Sequence, residues 1–197
     1  VLLSRFRGKD PFCDPFCGSG TIPIAAALSA KTRAPGLNRS FSAQRWQGLD
    51  STLWLRAADE AMDGEYHGSY DIWGGDIDPR AVDIARSNAE KAEVEDVVRF
   101  DVADAARFRR DEPYGRIVTN PPNGEPLLEK REAEGLYRAF GAAAGALPPG
   151  WRVSVLSSHT EFERTFGRPA DKKRKLYNGM LKCELFQYDR RERGGQA

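Results

Sequence analysis

Short apolar runs rich in β-formers alternate along this chain with segments whose apolar residues recur at helical spacing. The runs at 10–14, 71–75, 97–102, 115–119 and 151–156 predict strands. Between them, 21–30, 79–92 and 132–147 predict helices. In the second helix Val82, Ala85, Ala89 and Ala92 make one stripe, with Asp78 as N-cap and Pro79 at the first helical position. In the third, Leu136, Phe140, Ala143, Ala144 and Leu147 make another, closed by Pro148-Pro149-Gly150. Such alternation with short connections predicts an α/β domain, a parallel sheet covered by helices on both faces.

Two stretches break the rhythm. Residues 31–70 form a long insertion, in which Trp46, Leu49, Leu53, Ala57 and Ala61 fall at helical spacing behind Ser42 as a cap. Its tryptophans read as packing residues rather than base-stacking ones. The second is the C-terminal "RKLYNGMLKCELFQYDR", where Asn178-Gly179 between two β-prone runs predicts a hairpin with a two-residue turn. An antiparallel pair is therefore expected at the edge of the parallel sheet. The reading is one domain over 1–190, followed by a disordered tail at 191–197.

Composition narrows the class without deciding it. Of 197 residues, 40% are hydrophobic and 30% charged, and 30 basic against 29 acidic side chains leave a formal charge of +1. A near-neutral chain has no global field for nucleic acid, so any such contact must be local. No run approaches the ~18 apolar residues of a membrane span, and "VLLSRFRGKD" is too short and charged for a secretory signal. Cys13, Cys17 and Cys183 lack zinc-ligand spacing and suit reduced thiols, hence a cytoplasmic protein. The opening Val, in what reads as the tail of a helix, suggests a fragment of a longer protein.

Candidate chemistry gathers where strands end. "DPFCGSGTIP", residues 14–23, joins the first strand to the first helix, and Gly18 and Gly20 let its backbone turn sharply beside a ligand. The loop lacks the Lys-Ser/Thr of a Walker A motif. Pro23 replaces the third glycine of the dinucleotide fingerprint, which argues against a nicotinamide oxidoreductase. Asp76, ending the second strand, suits both hydroxyls of a ribose, and Asp78 is left as the helix cap. Asp104, after the third strand, suits an adenine amino group or a plain cap on a short helix. Asn120-Pro121-Pro122 follows the fourth strand, and the two prolines stop the strand and stiffen the turn. All four groups fall at carboxyl ends of successive strands, where open α/β sheets bind ligands. His159, after the fifth strand, reads as a pocket-rim hydrogen bonder or as a helix-start residue. The basic run 171–175 reads as a phosphate contact, through Lys172, Lys173, Arg174 and Lys175, or as a solvated strand entrance.

This ordered set resembles the class I S-adenosylmethionine-dependent methyltransferases with an N/D-P-P-Y motif. "DPFCGSGTIPI", "GGDIDPRAVDIARSNA", "IVTNPPNGE" and "KKRKLYNGMLKCELFQY" are similar to the catalytic domain of bacterial THUMP-containing guanine-N2 methyltransferases of large-subunit ribosomal RNA. The likeness runs through nearly the whole chain, insertion included. It implies a Rossmann-like fold of seven strands, S-adenosylmethionine as cofactor, no metal, and 23S ribosomal RNA as partner. It also implies an upstream RNA-binding THUMP domain. By resemblance the cofactor contacts are Asp14, Pro15, Phe16, Cys17, Gly18, Ser19, Gly20, Thr21, Asp76, Ile77, Asp104, Ala105 and Asn120. The catalytic positions are Asn120, Pro121, Pro122 and Asn123. The Asn120 side-chain oxygen and the Pro121 carbonyl are suited to accept hydrogen bonds from the target amine, and a base inside a helix must be flipped out to reach them. The chain departs from the family at Asn123, where an aromatic residue usually stacks on the base, at Pro126 in place of Arg, and at Ala25 in place of Glu. An adenine-N6 DNA methyltransferase and a non-catalytic RNA-binding relative are the rival readings.

Overall fold

The apolar runs become strands β1 (Phe12–Asp14), β2 (Ile72–Asp76), β3 (Val98–Val102), β4 (Tyr114–Thr119) and β5 (Gly150–Ser157), each within two residues of its expected bounds. The C-terminal hairpin supplies β6 (Lys172–Asn178) and β7 (Leu181–Asp189). A computed structural model describes residues 1–122 and 127–189 of the chain. Its single sheet has the order β3-β2-β1-β4-β5-β7-β6. The first five strands are parallel, and β7 runs antiparallel to both β5 and β6. Strand order reverses between β1 and β4, so the chain leaves a crevice at their carboxyl ends, the ligand position of doubly wound sheets.

Helices α1 (Thr21–Ala30) and α3 (Pro79–Lys91) cover one face of the sheet, and α4 (Leu127–Gly145) and α5 (Phe162–Phe166) cover the other. In α3 the expected stripe is the packed one: Val82, Ala85 and Ala89 are buried against Phe12, Ile72 and Phe100. Asp78 caps it by accepting from the Arg80 N–H at 2.9 Å. On the opposite face Ile117, Trp151, Val153 and Val155 pack with Tyr137, Phe140 and Phe162. Helix α4 begins five residues before its expected start and ends two before Leu147, which is buried just past its end. Helix α5, a single short turn closed by Gly167 at φ 95°, begins three residues after His159, for which a helix start was one of the two readings.

The insertion departs from its sequence reading. Its α-helix, α2 (Ser51–Asp63), starts nine residues after Ser42 and is capped by Asp50, which accepts from the Thr52 N–H at 2.9 Å. Ser42 instead opens a four-residue 3-10 turn. Gly48, at φ 93°, sits between the two and separates them. Trp46 and Leu49 are therefore not on the helix, and Trp46 is 65% exposed, against the packing expected of it. Trp54 does pack, stacked on Phe41 with centroids 5.9 Å apart. The insertion is fastened at its base, by Arg33 to Glu65 at 2.7 Å and by the Tyr66 N–H to the Lys31 carbonyl at 2.7 Å.

The hairpin forms with its turn shifted by one residue. Asn178 pairs with Leu181, so Gly179 and Met180 are the turn residues. Gly179 has φ 61°, the positive first position that a type II′ turn requires. Residues 191–197, expected as a disordered tail, lie outside the described residues. Among the described residues no helix is long and apolar enough to cross a membrane.

Candidate active site

The cavity of about 360 Å3 at the switch point is lined by Pro15, Phe16, Gly18, Asp76, Ile77, Ala103, Asp104, Ala105, Asn120, Pro122 and Leu136. Four separate strand ends thus open onto one space. Its floor is the β1–α1 loop. There Gly18, at φ 51°, donates its N–H to Asp76 Oδ2 at 3.0 Å, while Asp78 N donates to Asp76 Oδ1 at 3.0 Å. Each Asp76 oxygen holds one backbone N–H and keeps acceptor capacity toward the cavity. Gly20, at φ 85°, shares the positive φ of Gly18 and serves a second purpose as well. A Cβ there would lie 2.9 Å from the Phe100 ring and 3.0 Å from the Ala85 Cβ, so that purpose is the close approach of loop and α3. Asn88 on α3 ties the same loop down by donating to the Ser19 carbonyl at 3.0 Å.

Asp14 lies behind the cavity wall and is only 1% exposed. Its Oδ1 accepts from Thr119 Oγ1 at 2.5 Å and from the Phe16 N–H at 3.1 Å, while Oδ2 is buried without a partner. Burial pushes its carboxyl up to about 7; the Thr119 and Phe16 hydrogen bonds oppose the rise and the Asp76 charge adds to it. Cys17 is buried beside it, and burial with the neighbouring Asp14 and Asp76 charges pushes its thiol up to about 12, an inert sulfur. Ser19 on the loop and Thr21 at the start of α1 are exposed, away from the cavity lining. Of the positions the sequence pointed to, Pro15, Phe16, Gly18, Asp76, Ile77, Asp104, Ala105, Asn120 and Pro122 line the cavity, whereas Asp14, Cys17, Ser19, Gly20, Thr21 and Pro121 do not. Asp104 meets both of its readings: it lines the cavity and caps the short 3-10 helix Ala105–Arg107 through the Ala106 N–H at 2.9 Å.

The far wall is the turn after β4. Pro121 is buried, whereas Asn120 is exposed and makes no hydrogen bond to the described residues. The Pro122 carbonyl accepts a hydrogen bond from the Tyr137 hydroxyl, delivered from α4 by a side chain with no exposed surface. A buried tyrosine needs a partner for its hydroxyl, and here that partner is the stiff turn itself. His159 packs edge-on against Tyr137 with centroids 5.6 Å apart. Its Nδ1 accepts from the Glu161 N–H at 3.0 Å, so the proton sits on Nε2, 3.1 Å from Glu134 Oε1. His159 is therefore buried support behind the turn before α5, rather than a residue of the cavity rim. Sequence reasoning missed Ala103, Leu136 and Tyr137. The signal for the last was present: a tyrosine beside the apolar stripe of α4.

Lys172, Lys173, Arg174 and Lys175 lie on β6, the sheet edge, and are not brought to the cavity; Lys173 pairs with Glu163 at 2.7 Å. Asn123 and Pro126 lie outside the described residues. Ala25 is exposed on α1. Among the described residues no group of three or more His, Cys, Asp or Glu side chains could hold a metal ion.

The sequence profile of the RMKL-like methyltransferase domain matches residues 1–187. The chain belongs to this methyltransferase family. It is 42% identical over 189 residues to YpsC of Bacillus subtilis (strain 168), named as a candidate RNA methyltransferase, covering 95% of this chain and 49% of that protein. It is 39% identical over 175 residues to the ribosomal RNA large subunit methyltransferase K/L of Shewanella baltica (strain OS155), covering 86% of this chain and 25% of the relative. The chain thus spans half or less of the length of these relatives. Among solved structures, SMU.472, crystallised with SAH, superposes with a TM-score of 0.92 at 41% identity, over 97% of this chain and 51% of that one. A Listeria monocytogenes protein named as a predicted N6-adenine-specific DNA methylase superposes at 0.89 with 42% identity, over 95% and 48%. Class I methyltransferase architecture, seven strands with an antiparallel C-terminal pair, is therefore this domain's fold.

Proposed function

We propose that this domain transfers a methyl group from S-adenosylmethionine to the exocyclic N2 amine of a guanine in 23S ribosomal RNA. The observation that carries the reading is the single cavity onto which Gly18, Asp76, Asp104, Asn120 and Pro122 converge. Its residues fit the cofactor. Asp76 has spare acceptor capacity for a vicinal diol, Asp104 offers a carboxylate to an amino group, and Phe16, Ile77, Ala105 and Leu136 give apolar walls for a planar base. Bound there, S-adenosylmethionine supplies a methyl group on a positively charged sulfur, ready for in-line displacement.

The chain's own contribution is orientation. Asn120, unengaged by the described residues, is free to accept an amine hydrogen through its side-chain oxygen, and the Pro121 carbonyl is a second acceptor. Holding both hydrogens of a planar, delocalised amine favours a pyramidal nitrogen and aims its lone pair. The Pro122 carbonyl is already occupied by Tyr137, which fixes the turn that carries the other two acceptors. Ribosomal RNA as substrate follows the K/L relatives, and a THUMP module elsewhere in the whole protein, as the resemblance implies, would select the site. The name of the Listeria structure favours a second reading, adenine N6 of DNA, since the same acceptors suit that amine.

The test is methyl transfer from labelled S-adenosylmethionine by the whole protein to ribosomal RNA and to DNA, followed by mass spectrometry of the nucleosides. N2-methylguanosine supports the proposal. N6-methyldeoxyadenosine from DNA alone replaces it with the second reading. Cofactor binding without transfer to either supports a non-catalytic relative.

A further inference from the structure

The β6–β7 hairpin is longer than the sheet it joins. Pairing of β7 with β5 ends at Ser157 opposite Glu184, yet β6 and β7 continue to pair through Leu176–Cys183, Tyr177–Lys182 and Asn178–Leu181. Three residue pairs and the turn therefore stand beyond β5, an overhang of roughly 10 Å at the strand rise of ~3.3 Å per residue. It projects at the end of the sheet where β4 delivers Asn120, because β5 and β6 run in the same sense as β4. In the sheet order β4-β5-β7-β6 the tip lies three strand spacings to the side of Asn120, about 14 Å, which with the overhang makes a separation of roughly 17 Å.

The side chains of this overhang are unusual. Side chains in register share a face, so Tyr177, Lys182 and Lys175 lie on the side of Phe186, which packs with α4 and α5. That is the side from which Tyr137 reaches Pro122. Tyr177 is 73% exposed and Met180 at the turn is fully exposed. Lys175 and Lys182 form no ion pair among the described residues, although Glu184 stands opposite Lys175 in register on this face. The strand's other cation on this face, Lys173, is already held by Glu163. An exposed aromatic face between two unpaired lysines fits a single-stranded polyanion with stackable bases. It does not fit a dry protein interface, whose core is depleted of lysine.

We propose that this hairpin tip is a substrate platform: Tyr177 stacks on a base of the single-stranded RNA flanking the target guanine, while Lys175 and Lys182 contact its phosphates. The proposal rests on the RNA substrate of the proposed function. A separation of this size is covered by a few nucleotides of extended strand, so the platform would hold the flank while the target base enters the cavity.

The test uses the whole protein with Tyr177→Ala, Tyr177→Phe and Lys175→Gln/Lys182→Gln variants. Two measurements are made: methyl transfer to ribosomal RNA, and anisotropy titration of a labelled single-stranded RNA containing one guanine. Tyr177→Ala should raise the RNA KM and Kd about tenfold while leaving saturated kcat and cofactor affinity within twofold, and Tyr177→Phe should restore wild-type behaviour. The double lysine variant should lower the slope of log affinity against log salt by about 1.4, near 0.7 for each phosphate that is no longer neutralised. Unchanged KM and Kd in the alanine variant overturn the proposal, and so does a fall in kcat alone. Loss of a protein partner from the alanine variant with RNA affinity intact also overturns it, in favour of a protein-docking tip. If the wild type transfers no methyl group at all, the reading of the reaction fails, and the titration alone still decides the platform.

Discussion

The two walls of the cavity are built in opposite ways. On the β2 side, Asp76 is gripped by backbone: Gly18 and Asp78 each hold one carboxylate oxygen at 3.0 Å. On the β4 side, the Asn120 side chain is gripped by nothing described, and the rigidity is in the chain beneath it, through two prolines and the Tyr137 hydroxyl. A preset carboxylate suits a ligand that binds and leaves intact. A free amide on a stiff base suits a group whose hydrogen bonds change as it reacts. The first wall should therefore show itself in affinity and the second in turnover.

The sharpest way to break this contrast is Asn120→Ala. Turnover should fall roughly 100-fold, the scale of a misplaced reacting group, with cofactor affinity within twofold of wild type. Single-turnover transfer of a labelled methyl group and calorimetry give the two numbers. A parallel loss of affinity would merge the walls into one binding surface.

Asp76→Ala should do the reverse. Cofactor affinity should fall roughly 10- to 100-fold, since a ligand hydroxyl left without its acceptor costs ~1–3 kcal/mol, and the Gly18 and Asp78 N–H groups also lose their partner. At saturating cofactor, kcat should recover to within a few-fold. Calorimetric affinity equal to wild type would remove Asp76 from the binding wall.

Tyr137→Phe is a finer probe of the second wall. It keeps the ring packed beside His159 and deletes the hydroxyl, with its bond to Pro122 and its contact with Ser157. We expect kcat to fall about tenfold, between no effect and the ~100-fold of misplacement, with little change in cofactor Kd. The melting temperature should move little, because Pro122 is exposed and water can satisfy its carbonyl. Unchanged turnover would mean that the prolines stiffen the turn unaided.

What could be read from the sequence follows the same division. The first wall was legible because its signals are local: a glycine turn, an acidic residue ending a strand, a cap followed by proline. Tyr137 and Leu136 were not, because their roles depend on how α4 folds back over the β4 turn, a relation that periodicity does not encode. Helices α2 and α3 make the point without any site. Both carry amphipathic patterns, yet α3 buries Val82, Ala85 and Ala89 while α2 buries no residue. Spacing identifies a helix and a candidate face; it does not say what lies against that face. Of the insertion's two tryptophans Trp46 was misjudged for that reason, whereas Trp54 packs as expected, on Phe41. The insertion's helix start was misjudged for a local reason: Asp50 offers a capping carboxylate just before the regular turns, and Gly48 breaks the chain ahead of it.

The smallest change in turnover is expected from Asp14, which supports both walls without lining the cavity. It ends β1, receives Thr119 from β4, and carries an unpartnered buried oxygen. Its carboxyl titrates near 7 in the fold against 3.8 ordinarily, so the folded chain holds a proton that the unfolded chain has lost between those values. Stability from this group is therefore greatest at acid pH, falls as pH rises from about 4 to about 7, and levels off above that. Asp14→Asn keeps an oxygen for Thr119 and Phe16 but cannot ionise. Its own amide nitrogen becomes a buried donor, so the variant should start out less stable than wild type at low pH, yet its melting temperature should be flatter across that window. Thermal scans of both proteins between about pH 4 and pH 8 make the comparison, and it is the difference in slope, not in height, that carries the argument. If the two slopes coincide, the Thr119 and Phe16 hydrogen bonds offset the cost of burying the charge. Asp14 would then be an ionised brace, and the contrast between the walls would have no counterpart beneath them.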